Sequence, residues 1–197
     1  MEKKLRILAA SDLHGNMDIA RKLSLKAKKN KVDLVILAGD INGHFEGSGK
    51  ILDPFLKAHQ KVLFIPGNWD SKEQHEKMKK MAKSIDNYYV TYGDVGIGGI
   101  GNADWKMVLG EGEFDSIKRN FSRMKAKKKV LVSHLHAART KAEFSGVAGD
   151  KILRSAIEYV RPNLLISAHI HEGEGIEDKI GDTKVIQVGR NGKIIEI

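Results

Sequence analysis

Short runs of consecutive apolar residues alternate with longer amphipathic segments in the first half of the chain. The runs are typical of strands buried on both faces of a parallel sheet, and they cover residues 5–10, 32–38 and 61–65. Apolar residues at helical spacing predict helices over 19–30 and 71–84, with a shorter one over 50–58. This alternation of strand and helix indicates βαβ units and a parallel sheet.

The second half of the chain is richer in strands. A hairpin is predicted over 88–101, helices over 113–127 and 149–160, and strands over 129–133 and 164–168. Three short strands follow, at 176–180, 183–188 and 193–197, with turn residues between them. No shift in composition marks a linker, so we expect residues 1–197 to form a single α/β domain.

Five of the predicted strands are followed immediately by side chains that can bind a metal. They are Asp12 with His14, Asp40, Asn68 with Asp70, His134 with His136, and His169 with His171. Because the carboxyl ends of parallel strands lie along one sheet edge, we expect these residues to share one site. If the backbone stays extended, Asp12 and His14 also point the same way. One such residue or pair is more often part of an ordinary loop, but five of them, each at the carboxyl end of its strand, favour a metal centre.

The donor types restrict the metal. The chain has no cysteine, which excludes thiolate ligands and disulfides. Carboxylate, carboxamide and imidazole donors together suit two divalent transition-metal ions, with Mn favoured and Ni, Fe, Zn or Co as alternatives. Two neighbouring cations need a carboxylate between them to offset their repulsion, and Asp40 is the candidate. At a separation of about 3.5–4 Å, two metals would clamp the attacking and leaving oxygens of a phosphoryl displacement.

Charge and hydropathy bear on partners and location. The formal net charge of +9 raises the possibility of a nucleic-acid partner. The lysine clusters lie late in predicted helices and few aromatic residues interleave with them, so solvated helix faces are favoured. No apolar run reaches the roughly 20 residues of a membrane span, and the N-terminus does not resemble a signal peptide. We therefore expect a cytoplasmic protein that does not enter a membrane.

The ordered motif set resembles the calcineurin-like metallophosphoesterase family. The set consists of Asp12-x-His14, Gly39-Asp40, Gly67-Asn68-x-Asp70, His134 and His169-x-His171, and it extends over residues 11–171. The resemblance implies an α/β fold with four α/β/β/α layers, two mixed sheets and a dinuclear metal site at their carboxyl edge.

The resemblance also implies a role for each ligand. Asp12, His14 and His171 would hold the first metal, and Asn68, His134 and His169 the second. Asp40 would bridge the two metals, and a hydroxide between them would attack phosphorus. The implied activity is a phosphoesterase, with Asp40 and Asn68 in the catalytic centre and a small phosphate ester or nucleotide as substrate.

Two positions depart from the family pattern. Trp69 stands where the family usually has a histidine that contacts the transition state and protonates the leaving group. Small members that lack this histidine resemble phosphodiesterases more than protein phosphatases, so a phosphodiesterase is favoured. Ala168 replaces the usual glycine, which costs little unless the backbone needs a positive φ.

Several further residues are candidates with ordinary alternatives. His136 could replace the missing acid as a catalytic residue, although the sequence favours a position that supports the ligands or is exposed to solvent. Asp70, with Glu73, fits a capping box for the helix over 71–84. Trp69 could face substrate or pack in the core. The remaining residues are possible substrate contacts or ordinary surface positions: Asn42, His44, Trp105, Arg139 and Arg190 in the first class, His59 and His75 in the second.

Two other function classes stay open at this point. An interaction scaffold could keep the fold without catalysis, although a scaffold tends to lose ligands and all seven are present here. A nuclease acting on single-stranded nucleic acid would use the positive charge. Oligomeric state does not follow from the sequence.

Overall fold

The computed structural model describes residues 4–43 and 50–197, and in them helices alternate with strands as the apolar pattern predicts. The helices are α1 (Met17–Lys29), α2 (Asp53–Lys57), α3 (Lys72–Lys79), α4 (Glu111–Arg123) and α5 (Lys151–Val160). The first six strands are β1 (Arg6–Ala10), β2 (Leu34–Ala38), β3 (Val62–Ile65), β4 (Lys83–Ser84), β5 (Tyr88–Tyr92) and β6 (Val95–Ile100). The others are β7 (Lys128–Ser133), β8 (Leu164–Ser167), β9 (Glu177–Ile180), β10 (Thr183–Gln187) and β11 (Lys193–Glu196).

The strands form two mixed sheets. One has the order β11-β1-β2-β3-β4 and the other β5-β6-β7-β8-β10-β9. Within each sheet the central strands are parallel, and the antiparallel strands β11, β5 and β9 lie at edges. The expectation of a single shared sheet edge is therefore wrong, because β1–β3 belong to one sheet and β7 and β8 to the other.

Three apolar clusters fill the spaces between four layers. The central cluster joins the facing sides of both sheets, for example Ile36 and Ile65 with Val132 and Ile166. The second cluster packs the first sheet against α1, α2 and α3, and the third packs the other sheet against α4 and α5. The α/β/β/α arrangement is thereby confirmed. Among the described residues, no helix has the length and apolar character that crossing a membrane requires.

The start and end of α3 differ from the prediction. Ser71, not Asp70, is the N-cap: its Oγ accepts a hydrogen bond from the Gln74 backbone N–H, and Gln74 Oε1 accepts one from the Ser71 N–H. The carboxylate of Asp70 is used elsewhere, as described below. The helix ends at Lys79 rather than residue 84, because Lys83 and Ser84 pair with β3 as the edge strand β4.

The two sheets approach each other closely at Gly99 in β6. A Cβ built on this residue would lie 2.7 Å from Ile65 Cγ2 and 2.8 Å from the carbonyl oxygen of Ile85. A backbone carbonyl cannot rotate out of the way as a flexible side chain can, so the local sheet spacing depends on the absence of a side chain at Gly99.

We expect Gly99→Ala to lower the free energy of unfolding by about 1–3 kcal/mol through overpacking. Urea unfolding should show a lower midpoint with an unchanged slope. Gly112→Ala is the matched control, because Gly112 lies in the exposed first turn of α4 with open space around its Cβ. The control should change stability by no more than about 0.5 kcal/mol. Equal midpoints for the two variants would contradict this account of the sheet contact.

Candidate metal centre

The predicted ligands meet where the loops after β1, β2, β3, β7 and β8 come together. Asp12, Asp40, Asn68 and His134 are buried, with 3% exposure or less. His14 and His169 are half-buried, and His171 is exposed. The cluster is therefore buried on one side and open to solvent on the other. This arrangement lets the ligands hold a metal where a substrate can reach it.

Asp12, His14 and His171 form the first ligand group, with one possible ligand atom from each lying within 4.8 Å of the others. His171 Nε2 lies 3.2 Å from Asp12 Oδ1 and 3.4 Å from His14 Nε2. These are the three residues that the family resemblance assigns to the first metal.

Asp12, Asp40 and His134 form the second group under the same 4.8 Å limit. His134 Nε2 lies 3.3 Å from Asp40 Oδ2 and 3.1 Å from Asn68 Oδ1. His134 Nδ1–H donates to the carbonyl oxygen of Ala38 at 2.8 Å, so Nε2 is left to bind a metal. The ring of His169 lies 5.2 Å from that of His134, centroid to centroid.

Asp40 belongs to the second group and also approaches His14 of the first. Its Oδ2 is 3.3 Å from His134 Nε2 on one side and 3.8 Å from His14 Nε2 on the other. Its Oδ1 accepts a hydrogen bond from the Trp69 backbone N–H at 2.9 Å. This carboxylate is thus oriented by the backbone and reaches ligands of both groups.

The ligand loops have an unusual backbone. φ is positive at Asp12 (57°), His14 (46°), Asp40 (50°) and His169 (74°), a left-handed conformation that is uncommon for residues other than glycine. Asp12 and His14 therefore converge through a tight loop, and the expectation of extended backbone is wrong. The loop is held by hydrogen bonds from the Asp12 N–H to the Gly39 carbonyl (3.1 Å) and from the His14 N–H to the Asp40 carbonyl (2.9 Å).

Gly39 allows His134 to approach β2. Its φ is 93°, and an added Cβ would lie 2.5 Å from His134 Nδ1. At Ala168, by contrast, φ is not positive, so alanine in place of the family glycine brings no backbone strain.

The buried carboxylate of Asp70 ties the loops that carry Asp40 and Asn68 together. It accepts hydrogen bonds from the backbone N–H groups of Gly67 (2.9 Å), Ile41 (3.1 Å) and Asn42 (2.9 Å). Burial raises the pKa of Asp70, although the backbone N–H donors favour the charged form. Its role is to anchor two ligand loops, and not to cap α3.

The electrostatics of the cluster follow from this burial. Burial opposes ionisation of Asp12, but its bond to His171 and the nearby imidazoles hold the pKa of Asp12 below its ordinary value. Burial alone would lower the pKa of His134, yet the adjacent Asp40 carboxylate outweighs it and raises that pKa to about 9. Burial and the His134 charge lower the pKa of His169 to about 4. Carboxylates and imidazoles thus compensate each other while no cation is bound.

The residues present fit two divalent cations. The two ligand groups share Asp12 and contain only carboxylate and imidazole donors, and Asn68 adds a carboxamide oxygen beside His134. This mixed set of oxygen and nitrogen donors suits borderline transition metals.

The remaining sequence candidates fall into different places. Trp69 and Trp105 lie side by side next to His14, and Arg190 Nε donates to the Asp12 carbonyl at 2.8 Å. Arg139 is exposed, as is His59, which confirms the surface prediction for His59. His75 is half-buried, so its surface prediction is wrong: Nε2 is 2.9 Å from Ser84 Oγ and the ring contacts Phe64.

Two candidates are turned away from the ligand groups or lie outside the described residues. Asn42 is buried, and its amide donates to Asp70 Oδ1 at 3.1 Å, so the structure does not bring it to the ligands. His44 lies outside the described residues.

His136 is 2% exposed, and its Nε2–H donates to the Val147 carbonyl at 3.2 Å. Its ring stacks on that of His169, with centroids 6.3 Å apart and an interplanar angle of 17°. Among the described residues, Nδ1 has no hydrogen-bond partner. The structure therefore places His136 beside a ligand imidazole.

One supporting residue was not predicted. Ser11 Oγ–H donates to Asp12 Oδ2 at 2.5 Å and is completely buried, so it helps to orient this carboxylate. Its position directly before the first ligand was the only signal in the sequence, and serine before a loop is too common to single out.

We expect Asp70→Asn to lower the free energy of unfolding by about 2–4 kcal/mol, because the amide would present an N–H group to buried backbone donors. Asp115→Asn, at an exposed position of α4, should change stability by less than about 0.5 kcal/mol. Urea unfolding of the metal-free proteins measures both. An Asp70 variant as stable as the control would show that this carboxylate does not hold the loops.

We expect metal affinity to rise with pH. Because His134 has a pKa of about 9, a metal that binds Nε2 at neutral pH must displace a proton. Below that pKa, each displaced proton raises the apparent affinity about tenfold per pH unit. Calorimetric titration of chelator-treated protein with Mn²⁺ at several pH values between about 6 and 8 measures this slope. His134→Gln should lower the slope by about one proton and His59→Gln should preserve it, whereas equal slopes for His134→Gln and the unchanged protein would exclude His134 as a ligand.

Comparison with known proteins agrees with this geometry. A protein from Methanocaldococcus jannaschii described as uncharacterized is 29% identical over 199 residues, covering 94% of this chain and 88% of the relative. A crystal structure from Thermus thermophilus shares 15% identity with a TM-score of 0.75, covering 96% of this chain and 91% of that one. A dimetal phosphatase from Danio rerio shares 13% identity with a TM-score of 0.60, covering 94% and 88%. These two structures support the fold alone.

The model of the calcineurin-like phosphoesterases matches residues 5–173, which is most of the chain and includes every ligand named above. The sequence match and the two ligand groups lead to the same conclusion. The chain belongs to the calcineurin-like phosphoesterase family, whose members are dinuclear metal-dependent phosphoesterases.

Proposed function

We propose that this phosphoesterase is a phosphodiesterase that uses two Mn²⁺ ions to hydrolyse a small or nucleotide-derived diester by in-line displacement at phosphorus. The observation that carries the proposal is the position of Asp40 between His14 of the first ligand group and His134 of the second. Its Oδ2 lies within 4 Å of an imidazole nitrogen from each side.

In this proposal, Asp12, His14 and His171 hold one cation, Asn68, His134 and His169 hold the other, and Asp40 contacts both. When bound, the two cations supply Lewis-acid activation of a water molecule and of the phosphoryl oxygens.

The chain itself contributes preorganisation. Ser11 and the Ala38 carbonyl fix the orientation of Asp12 and His134, so that these donors need little rearrangement when a substrate binds. Hydrogen bonds from the Asp12 N–H to the Gly39 carbonyl and from the His14 N–H to the Asp40 carbonyl hold the left-handed backbone at these ligand positions. The side chains are therefore preorganised before a substrate binds, as catalysis by proximity and orientation requires.

Arg190 adds positive charge beside the first ligand group. Its charge helps to lower the pKa of His14 and opposes the rise in that of His171, although burial of His14 and the His171–Asp12 hydrogen bond are the larger causes. None of the described carboxylates lies within ion-pair distance of it. We assign this guanidinium to a phosphoryl oxygen of the substrate, to which it would donate a charge-assisted hydrogen bond.

The preference for diesters rests on the family resemblance, in which small members without the motif histidine resemble phosphodiesterases. Trp69 holds that position here, and an indole N–H does not release its proton near neutral pH, so it cannot protonate a leaving alkoxide as a histidine would. His136 as the replacement acid stays a prediction. Its burial and its bond to Val147 equally suit a role in positioning His169.

We expect the manganese-loaded protein to hydrolyse bis(p-nitrophenyl) phosphate with a higher kcat/KM than p-nitrophenyl phosphate. Asp40→Ala should reduce turnover of the diester on the order of a hundredfold or more, because the carboxylate proposed to contact both cations is lost. Asp115→Ala is the matched control and should keep wild-type turnover. A preference for the monoester would replace the phosphodiesterase by a phosphatase, and unchanged turnover of Asp40→Ala would refute the site.

A further inference from the structure

The two tryptophans of the chain, Trp69 and Trp105, form a single aromatic surface beside the ligand cluster. Their ring centroids are 4.8 Å apart with planes inclined by 54°. Trp69 meets the ring of His14 edge-on at 5.5 Å. The surface thus begins one ring away from a ligand of the first group and extends outward from it.

Both indoles are accessible. Trp69 is 40% exposed and Trp105 is 52% exposed, whereas the nearest ligand carboxylates are almost completely buried. Tryptophan is usually buried for most of its area, and adjacent exposed aromatic rings are characteristic of binding surfaces. Met107 and Val108, in the same loop as Trp105, are also exposed and extend the apolar area.

The pair is held by the backbone that carries the ligands. The Trp69 N–H donates to Asp40 Oδ1 at 2.9 Å, and the Trp105 N–H donates to the Asn68 carbonyl at 2.8 Å. The Asp104 N–H donates to the Asp70 carbonyl at 3.0 Å, and Asp104 Oδ1 accepts from the Lys72 N–H at 3.0 Å. Several hydrogen bonds therefore fix the position of the aromatic surface relative to the ligand loops.

The backbone at this point is strained. φ is 59° at Asp104 and 61° at Trp105, and a bulky side chain at positive φ is a genuine outlier. Burial of Trp105 does not account for the strain, because about half of its surface faces solvent. The strained backbone holds the Trp105 ring exposed beside the ligand cluster, and strain of this kind is typical of functional sites.

We propose that Trp69 and Trp105 form a stacking subsite for a nucleobase, so that the natural substrate is a small nucleotide diester. Indole faces bind planar heterocycles of any base by stacking, while the phosphate end lies toward the ligand cluster and Arg190. The substrate class rests on the phosphodiesterase proposed above, but base binding itself requires no turnover and is measured separately.

The test uses intrinsic fluorescence, since these are the two tryptophans of the whole chain and therefore report only on this surface. The protein as purified is titrated with adenosine 5′-monophosphate and with ribose 5-phosphate, which keeps the phosphate and lacks the base. We expect saturable quenching by the nucleotide and an affinity about tenfold higher than for ribose 5-phosphate, in line with the usual contribution of one stacked base. Equal affinities would overturn the subsite, whether or not the protein hydrolyses diesters.

Variants separate stacking from folding. Trp105→Leu should remove the preference for the nucleotide while affinity for ribose 5-phosphate is kept, and Trp105→Phe should retain part of the preference. Tyr88→Leu is the matched control, because Tyr88 is also 52% exposed and its ring stacks on Tyr89. It should keep the full preference. A Trp105→Leu protein that keeps the full preference would refute the assignment.

Binding of oligonucleotides distinguishes a site for small nucleotides from a site for single-stranded nucleic acid. For a small-nucleotide site, a dinucleotide and a ten-residue oligoadenylate should bind with affinities within a few-fold of each other at fixed ionic strength. An affinity that continues to rise with length, and that falls steeply with salt, would replace the small nucleotide by single-stranded nucleic acid.

Discussion

The structure depends on keeping two carboxylates, those of Asp12 and Asp40, away from water at 1% and 2% exposure. A buried carboxylate without compensation is too costly for a marginally stable domain. Here the compensation comes from His134 and His171, from Ser11, and from the backbone N–H of Trp69. In the metal-free protein His134, with a pKa of about 9, carries a proton that a cation would displace, so charge balance and metal binding use the same side chain. The need to compensate two buried carboxylates is also met by side chains from both sheets, since His134 and His171 follow strands of one sheet and Asp12 and Asp40 follow strands of the other.

This requirement extends into the layers below. The central apolar cluster fixes how the two sheets face each other, and the chain continues from it into the ligand loops after β1, β2, β3, β7 and β8. Asp70 then couples the loop after β2 to the loop after β3 through backbone N–H groups, and Gly39 lets the His134 ring lie against β2. We propose that metal binding and base selectivity use different segments of the chain. The ligands directly follow strand ends, whereas Trp105 belongs to the connection between β6 and α4, which carries none of them.

Much of the architecture could be predicted because buried strands of a parallel sheet have a strong local signature, and because a ligand directly after each strand is a positional pattern. The ligand set from Asp12 to His171 followed from that pattern together with the family resemblance. The division into two sheets could not follow from strand ends, since pairing partners are set by contacts distant in sequence. Ser71 rather than Asp70 caps α3 because a tertiary demand for the Asp70 carboxylate overrides its local capping preference. Left-handed φ at Asp12 and His14 is likewise invisible to strand periodicity, and so is the contact between Trp69 and Trp105, which lie 36 positions apart.

The central claim is that one carboxylate joins two metal positions. Anomalous diffraction from crystals of the manganese-loaded protein, recorded on both sides of the manganese absorption edge, tests this claim most directly. The account predicts two peaks about 3.5–4 Å apart, with Asp40 in contact with both, Asp12, His14 and His171 around one, and Asn68, His134 and His169 around the other. A single peak, or two peaks without Asp40 between them, would contradict it.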